Sequence, residues 1–105
     1  MHFIIYSGFD RDADISVVKQ IQKILDNKKA TYSLASYRES GFVGMSYNKF
    51  SDVVGDADVV IVVGGDGTVL RAAEGITEAG LETPIFAVTD IFVTIFLTNM
   101  PKIQK

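Results

Sequence analysis

Asp58-Val59-Val60-Ile61-Val62-Val63-Gly64-Gly65-Asp66-Gly67-Thr68 decides what kind of fold this chain adopts. Residues 59–63 are all β-branched and follow one another with no polar residue between them, so neither face of the strand they make can be turned to water. A strand apolar on both faces belongs to a sheet covered by helices on both sides. Parallel sheets are built that way, because their connections must cross over the faces. Gly64 and Gly65 then end the run, in the place where such a strand turns into its crossover helix.

Downstream, Val69, Ala72, Ala73, Ile76 and Ala79 share one helical face, and Gly80 is placed to end that helix. Pro84 opens a further apolar strand over residues 85–88. Upstream, residues 2–6 read as a strand, and residues 7–12 as a polar turn. Asp14 stands where a helix cap is expected. Val17 or Val18, Ile21, Ile24 and Leu25 recur at helical spacing, and the helix should end near Asn27 and Lys28. Residues 31–35 form a second strand and residues 36–47 a mobile loop. Phe50, Val53 and Val54 lie on one face of a brief helix begun by Ser46 or Asn48 and closed by Gly55. This order predicts a single α/β domain over residues 1–105. Its sheet is open and mostly parallel, of the three-layer Rossmann-like or flavodoxin-like kind, with right-handed crossovers.

Composition narrows the chemistry. The chain is 105 residues long, 48% hydrophobic and 22% charged, which suits one folded domain with a real core. Ten basic against thirteen acidic residues leave a net charge of -3, so no broad nucleic-acid or anionic-membrane surface is expected. There is no cysteine and one histidine, His2, which excludes disulfides, a thiolate nucleophile and cysteine or histidine zinc sites. No apolar run approaches the roughly 20 residues needed to span a bilayer, and no secretory signal opens the chain, so a cytoplasmic location is expected. Asp10, Asp12 and Asp14 alternate like the opening of a calcium loop but lack its later glycine and glutamate, and read as a solvated turn with a helix cap. Tyr6, Tyr32, Tyr37 and Tyr47 read as packing or rim groups rather than a stacking platform.

The chemistry concentrates in Gly64, Gly65, Asp66, Gly67 and Thr68. In an open α/β sheet, ligands bind beyond the carboxyl ends of the strands, and this turn lies there. Glycines let the backbone approach a ligand without a Cβ in the way, and free NH groups at the helix start attract anions, so a phosphate fits. Asp66 is the side chain able to act on a hydroxyl or a magnesium ion, and Thr68 to cap the helix or donate to a phosphate oxygen. By composition alone, Gly-Gly-Asp-Gly would arise in such a chain about 0.002 times. It is neither a Walker motif, which ends in Gly-Lys-Ser or Gly-Lys-Thr, nor the Gly-x-Gly-x-x-Gly fingerprint.

The segment from Asp56 through Gly64-Gly65-Asp66-Gly67-Thr68-Val69-Leu70-Arg71-Ala72-Ala73 resembles the signature of ATP- or polyphosphate-dependent NAD kinases. Diacylglycerol and sphingosine kinases share Gly-Gly-Asp-Gly-Thr but usually continue with Asn-Glu, whereas Leu70-Arg71-Ala72 is similar to the NAD kinase continuation. The order of elements over residues 1–88 also resembles the amino-terminal lobe of that family. The resemblance implies transfer of a phosphoryl group from ATP or polyphosphate to the 2'-hydroxyl of NAD, giving NADP. It implies Asp66 as the catalytic carboxylate on that hydroxyl, and Gly64, Gly65, Asp66, Gly67 and Thr68 as the phosphate cradle, with Mg2+ carried by the nucleotide phosphates. Arg71 is read two ways, as a cation beside the phosphates and as a solvated helix residue.

The family places the Asn-Glu pair and most of the NAD pocket in a second, β-rich lobe that these 105 residues do not include, so the isolated polypeptide is expected to be weakly active or inactive. A second departure follows the last predicted strand. The family usually runs Asn-x-Gly-x-Leu-Gly-Phe-Leu-Thr there, whereas this chain reads Thr89-Asp90-Ile91-Phe92-Val93-Thr94-Ile95-Phe96-Leu97-Thr98, without either glycine. Ile91 to Leu97 has strong β-propensity and reads as an antiparallel edge strand turned back by Thr89-Asp90. Such a strand either pairs with a second chain, as a homodimer, or covers a helix within a monomer. Competing with the kinase reading are a non-catalytic nucleotide- or phosphate-binding module and an engineered α/β scaffold keeping the motif as a relic.

Overall fold

The uninterrupted apolar run forms β4 (Val59–Val63), and its last four residues are buried. In the computed structural model, which describes residues 1–9, 11–37 and 46–88, β4 lies beside β1 (His2–Ser7) near the middle of a five-stranded sheet. The other strands are β2 (Thr31–Ser36), β3 (Asn48–Lys49) and β5 (Ile85–Val88). The order is β3-β2-β1-β4-β5, and every described pairing is parallel.

Three helices cover the sheet: α1 (Asp12–Asn27), α2 (Phe50–Val53), which runs into a 3-10 turn (Val54–Asp56), and α3 (Asp66–Glu78). Alternate residues of the central strands serve the two faces. Phe3, Ile5, Ile61 and Val63 pack with Val17, Val18, Ile21 and Leu25 of α1. Ile4, Tyr6, Val60 and Val62 pack with Phe50 and Val54 on one side and with Ala72 and Ile76 of α3 on the other. Ile21 and Leu25 are fully buried, each contributing about 1.5–3 kcal/mol of hydrophobic stabilisation. Because β1 to β2 and β4 to β5 run outward in opposite directions, right-handed crossovers must put α1 and α3 on opposite faces. The α/β sheet expected from β4 is therefore the fold observed.

Local signals explain most boundaries. Gly80 takes a φ of +72 just after α3, and the Leu81 NH returns to the Ile76 carbonyl at 3.0 Å. At the end of α1 the same left-handed position falls on Lys29, at φ +58, with the Ala30 NH on the Leu25 carbonyl at 3.0 Å. His2 sits at the opening of the sheet, its ring nitrogens 2.9 Å from Thr31 Oγ1 and 3.1 Å from Ser33 Oγ, so it ties β1 to β2.

Three details differ from the sequence reading. Asp14 does not cap α1: the helix begins at Asp12 with Arg11 at the cap position, and Asp14 sits in the first turn. Its carboxylate is gripped by the Arg11 guanidinium at 2.8 and 2.9 Å, and that ion pair holds Asp14 inward. Gly55 does not close the short helix but lies inside the 3-10 turn. Asn48 does not begin the short helix, which starts at Phe50; with Lys49 it forms β3, two polar residues without periodicity whose backbone pairs with Ala35 and Ser36. Most of the loop expected at residues 36–47, and the edge strand and dimer contact expected at Ile91 to Leu97, lie outside the described residues.

Candidate functional site

The chain winds outward from β1 through β2 to β3 and then returns to lay β4 on the other side of β1. Ser7 is paired with Val63, so β1 and β4 leave the sheet side by side at this switch point. On the β1 side, the buried Ser7 hydroxyl accepts the Phe9 NH at 3.2 Å. Phe9 holds φ at +53 with its ring fully buried and stacked on Tyr47 at 5.3 Å. A left-handed conformation costs a non-glycine residue roughly 1–2 kcal/mol, which burial of the ring offsets.

On the β4 side, Gly64 must be a glycine for steric reasons. A Cβ there would stand 2.6 Å from Thr68 Oγ1 and 2.9 Å from Thr68 Cβ. Gly65 then caps α3, and its carbonyl accepts the NH groups of Thr68 at 3.0 Å and Val69 at 3.2 Å. The amides of Asp66 and Gly67, in the first turn ahead of those bonds, have no carbonyl partner within the helix. Gly65, Asp66 and Gly67 are exposed, and nothing lies within 4 Å of where a Cβ would stand at Gly65 or Gly67. This corner thus presents unpaired amides and the positive end of a helix dipole to open space, with one carboxylate among them. Thr68 is buried, and its side chain lies where a Cβ on Gly64 would stand.

Arg71 stands further along the same helix. Five residues past Asp66, and so about 7.5 Å further along α3, it lays its guanidinium over the Tyr37 ring at 4.6 Å from the centroid. Both groups line a cleft of about 570 Å³ between α3 and the start of α2, at the carboxyl ends of β1 and β2. Tyr6 and Phe50 floor it, their rings edge-to-face at 4.8 Å. Burial pushes the Tyr6 phenol up to about 12, and Arg71 opposes part of that rise. Lys49, Glu74 and Glu78 stand on the walls. The cleft is not legible along the chain because its residues come from five separate elements, β1, β2, β3, α2 and α3. A smaller hollow of about 170 Å³ lies on the α1 side, lined by Arg11, Asp14, Val63, Gly64 and Val88.

Among the described residues no three ligating side chains converge on one point. No helix among the described residues is long and apolar enough to cross a membrane.

Comparison with known proteins bears on this arrangement. Residues 13–105 match the family described as the ATP-NAD kinase N-terminal domain. An NAD kinase of Agathobacter rectalis is 30% identical over 89 residues, covering 83% of this chain and 30% of that protein. An NAD kinase of Lachnoclostridium phytofermentans is 31% identical over 87 residues, covering 82% of this chain and 28% of that protein. The chain therefore spans under a third of the length of the curated relatives it matches. Among solved structures, the lactose-specific IIB component domain of the phosphoenolpyruvate:carbohydrate phosphotransferase system from Streptococcus pneumoniae superposes with a TM-score of 0.51. It is 12% identical, over 97% of this chain and 88% of that one, a likeness of fold alone.

Proposed function

Since the chain belongs to the NAD kinase family, matching its amino-terminal domain, we propose that it forms the phosphate-facing half of a site that phosphorylates the 2'-hydroxyl of NAD to give NADP. The observation that carries this reading is the corner itself: Asp66 exposed at the first turn of α3, flanked by the open backbone of Gly65 and Gly67, at the switch point of a parallel sheet. Asp66 orients the ribose hydroxyl by accepting its hydrogen bond. A carboxylate of ordinary basicity is a feeble base toward an alcohol, so positioning and negative charge beside a loose transition state matter more than full proton removal. The first-turn amides face the donor phosphates, which come from ATP or polyphosphate. Magnesium, when present with the donor, neutralises the charge on those phosphates.

The same reading assigns residues 1–105 to the amino-terminal lobe and leaves the NAD-gripping groups to a second, β-rich lobe. Phosphoryl transfer requires both substrates aligned to a fraction of an ångström, so the lobe alone should bind better than it turns over. A cytoplasmic setting goes with this reaction.

The test is an NADP-formation assay on the full 105-residue chain with ATP or polyphosphate, run beside amide NMR titrations with NAD and ATP. Shifts at residues 64–68, with trace NADP that disappears in Asp66→Asn, are expected. Ligand-induced shifts without any transfer would favour a non-catalytic phosphate-binding module. No response to either ligand at millimolar concentration would leave only an α/β scaffold.

A further inference from the structure

The cleft between α2 and α3 has no part in the reading above, yet it is the larger of the two hollows at the carboxyl ends of the strands. Three rings make its apolar side: the Tyr6 ring lies 4.8 Å from that of Phe50 and 6.1 Å from that of Tyr37, centroid to centroid. Two cations and two carboxylates stand around those rings without neutralising one another. Arg71 and Glu74 are three residues apart on α3, a spacing that favours an ion pair, but the guanidinium lies on Tyr37 instead. Among the described residues Lys49, Glu74 and Glu78 make no ion pair. Glu74 and Glu78 are one helical turn apart, where like charges repel unless a cation comes between them. Tyr6 lies within reach of both signs, since Arg71 favours ionisation of its phenol and Glu74 opposes it.

We propose that this cleft binds a zwitterionic α-amino acid with an aromatic side chain. The Arg71 fork, its plane fixed by stacking on Tyr37, takes the carboxylate through two N–H bonds, and Lys49 adds a second positive charge. The ammonium sits between Glu74 and Glu78, whose Cβ atoms at this spacing are about 5–6 Å apart, so each carboxylate accepts one of its three N–H donors. The ligand's ring rests on Tyr6 and Phe50. Arg71 and Glu74 are neighbours on one helix, which matches the short separation of two opposite charges carried on a single carbon. The charge pattern excludes other classes. A ligand of negative charge alone, such as a phosphate chain, is repelled by the two glutamates, and one of positive charge alone meets Arg71 and Lys49. An uncharged apolar ligand would strip water from all four charges and offer them no partner. The volume of about 570 Å³ falls within the range of small-molecule sites. Neither Asp66 nor the first-turn amides line this cleft, so the proposal stands apart from the phosphoryl-transfer reading.

The experiment is an amide NMR titration of the full chain with L-phenylalanine, with phenethylamine and hydrocinnamate, which each lack one of its charges, and with adenosine monophosphate. L-phenylalanine should shift Tyr37, Lys49, Ser51, Arg71 and Glu74 and leave residues 65–67 in place. Each single-charge analogue should bind about tenfold more weakly. Arg71→Ala should weaken L-phenylalanine by about tenfold without weakening phenethylamine, which has no carboxylate to lose. Glu74→Gln combined with Glu78→Gln should weaken L-phenylalanine by about as much without weakening hydrocinnamate, which has no ammonium. All three side chains are exposed, so the fold should survive, and unchanged amide positions in β1 and β4 verify it. The proposal is overturned if L-phenylalanine at millimolar concentration moves no cleft amide, if either analogue binds as well, or if both variants keep wild-type affinity. It is overturned too if adenosine monophosphate moves the cleft amides more strongly than L-phenylalanine, because the cleft would then belong to a nucleotide.

Discussion

Replacing Gly64 by alanine tests the central steric feature of the corner. The added methyl would lie 2.6 Å from Thr68 Oγ1, 2.9 Å from Thr68 Cβ and 3.2 Å from Thr68 Cγ2. Favourable carbon contacts begin near 3.5 Å, so all three are overlaps. A χ1 rotation moves Oγ1 and Cγ2, but Cβ is fixed by the helix backbone, and Thr68 is buried. The strand end or the first turn of α3 must therefore shift. Overpacking of this kind costs about 1–3 kcal/mol, out of a total stability of roughly 5–15 kcal/mol. Thr68→Ala removes the contacts to Oγ1 and Cγ2 and leaves that to Cβ, so the cost of Gly64→Ala in that background should fall to about half. Urea unfolding of the four species, followed by far-ultraviolet circular dichroism, measures the coupling. Gly55→Ala, where nothing lies within 4 Å of the new Cβ, is the control and should change stability little. If Gly64→Ala is as mild as Gly55→Ala, or costs the same with and without the Thr68 side chain to within about 0.5 kcal/mol, the steric account is wrong.

Asp66→Asn should leave the urea midpoint nearly unchanged, because the side chain is exposed and its favourable place at the helix start contributes only about 0.3–1 kcal/mol; a large loss would make Asp66 structural rather than functional. Lys29→Gly should raise stability by about 0.5–1 kcal/mol, since an exposed lysine at φ +58 occupies a position that glycine takes without strain; thermal melts showing a loss would contradict this. Tyr6 carries a signed pH prediction. An unfolded tyrosine ionises near 10.0, whereas burial keeps folded Tyr6 protonated to about 12. Stability from this group is thus whole below pH 10.0 and lost as the pH climbs toward 12. The loss is on the order of 2 kcal/mol, and Tyr6→Phe should flatten that part of an alkaline denaturation curve.

Much of this protein can be read without coordinates because the relevant physics is local. Five adjacent β-branched residues cannot form a strand with a wet face, so β4 announces a sheet covered on both sides. The helical stripes of α1 and α3 follow from spacing, and Gly80 from the need for a positive φ. The corner of residues 64–68 is legible for the same reason: its glycines mark where backbone must come close to something. Lys29 shows the limit, since no residue preference signals a lysine at a left-handed helix end. Asp14 shows another, because it reads as a cap along the chain, whereas in the fold it lies in the first turn and pairs with Arg11.

Relations between residues distant in sequence are a different matter. Thr68 reads along the chain as a cap or a phosphate ligand, and only the fold shows that it is buried with its side chain against Gly64. Arg71 looks like a neighbour of the glycine corner, yet the return of β2 and α2 to the same end of the sheet brings Tyr37 under its guanidinium and Lys49 across from it. Strand order sets those meetings. It follows from the handedness of crossovers and the burial of whole faces, both properties of the assembled sheet rather than of any one segment.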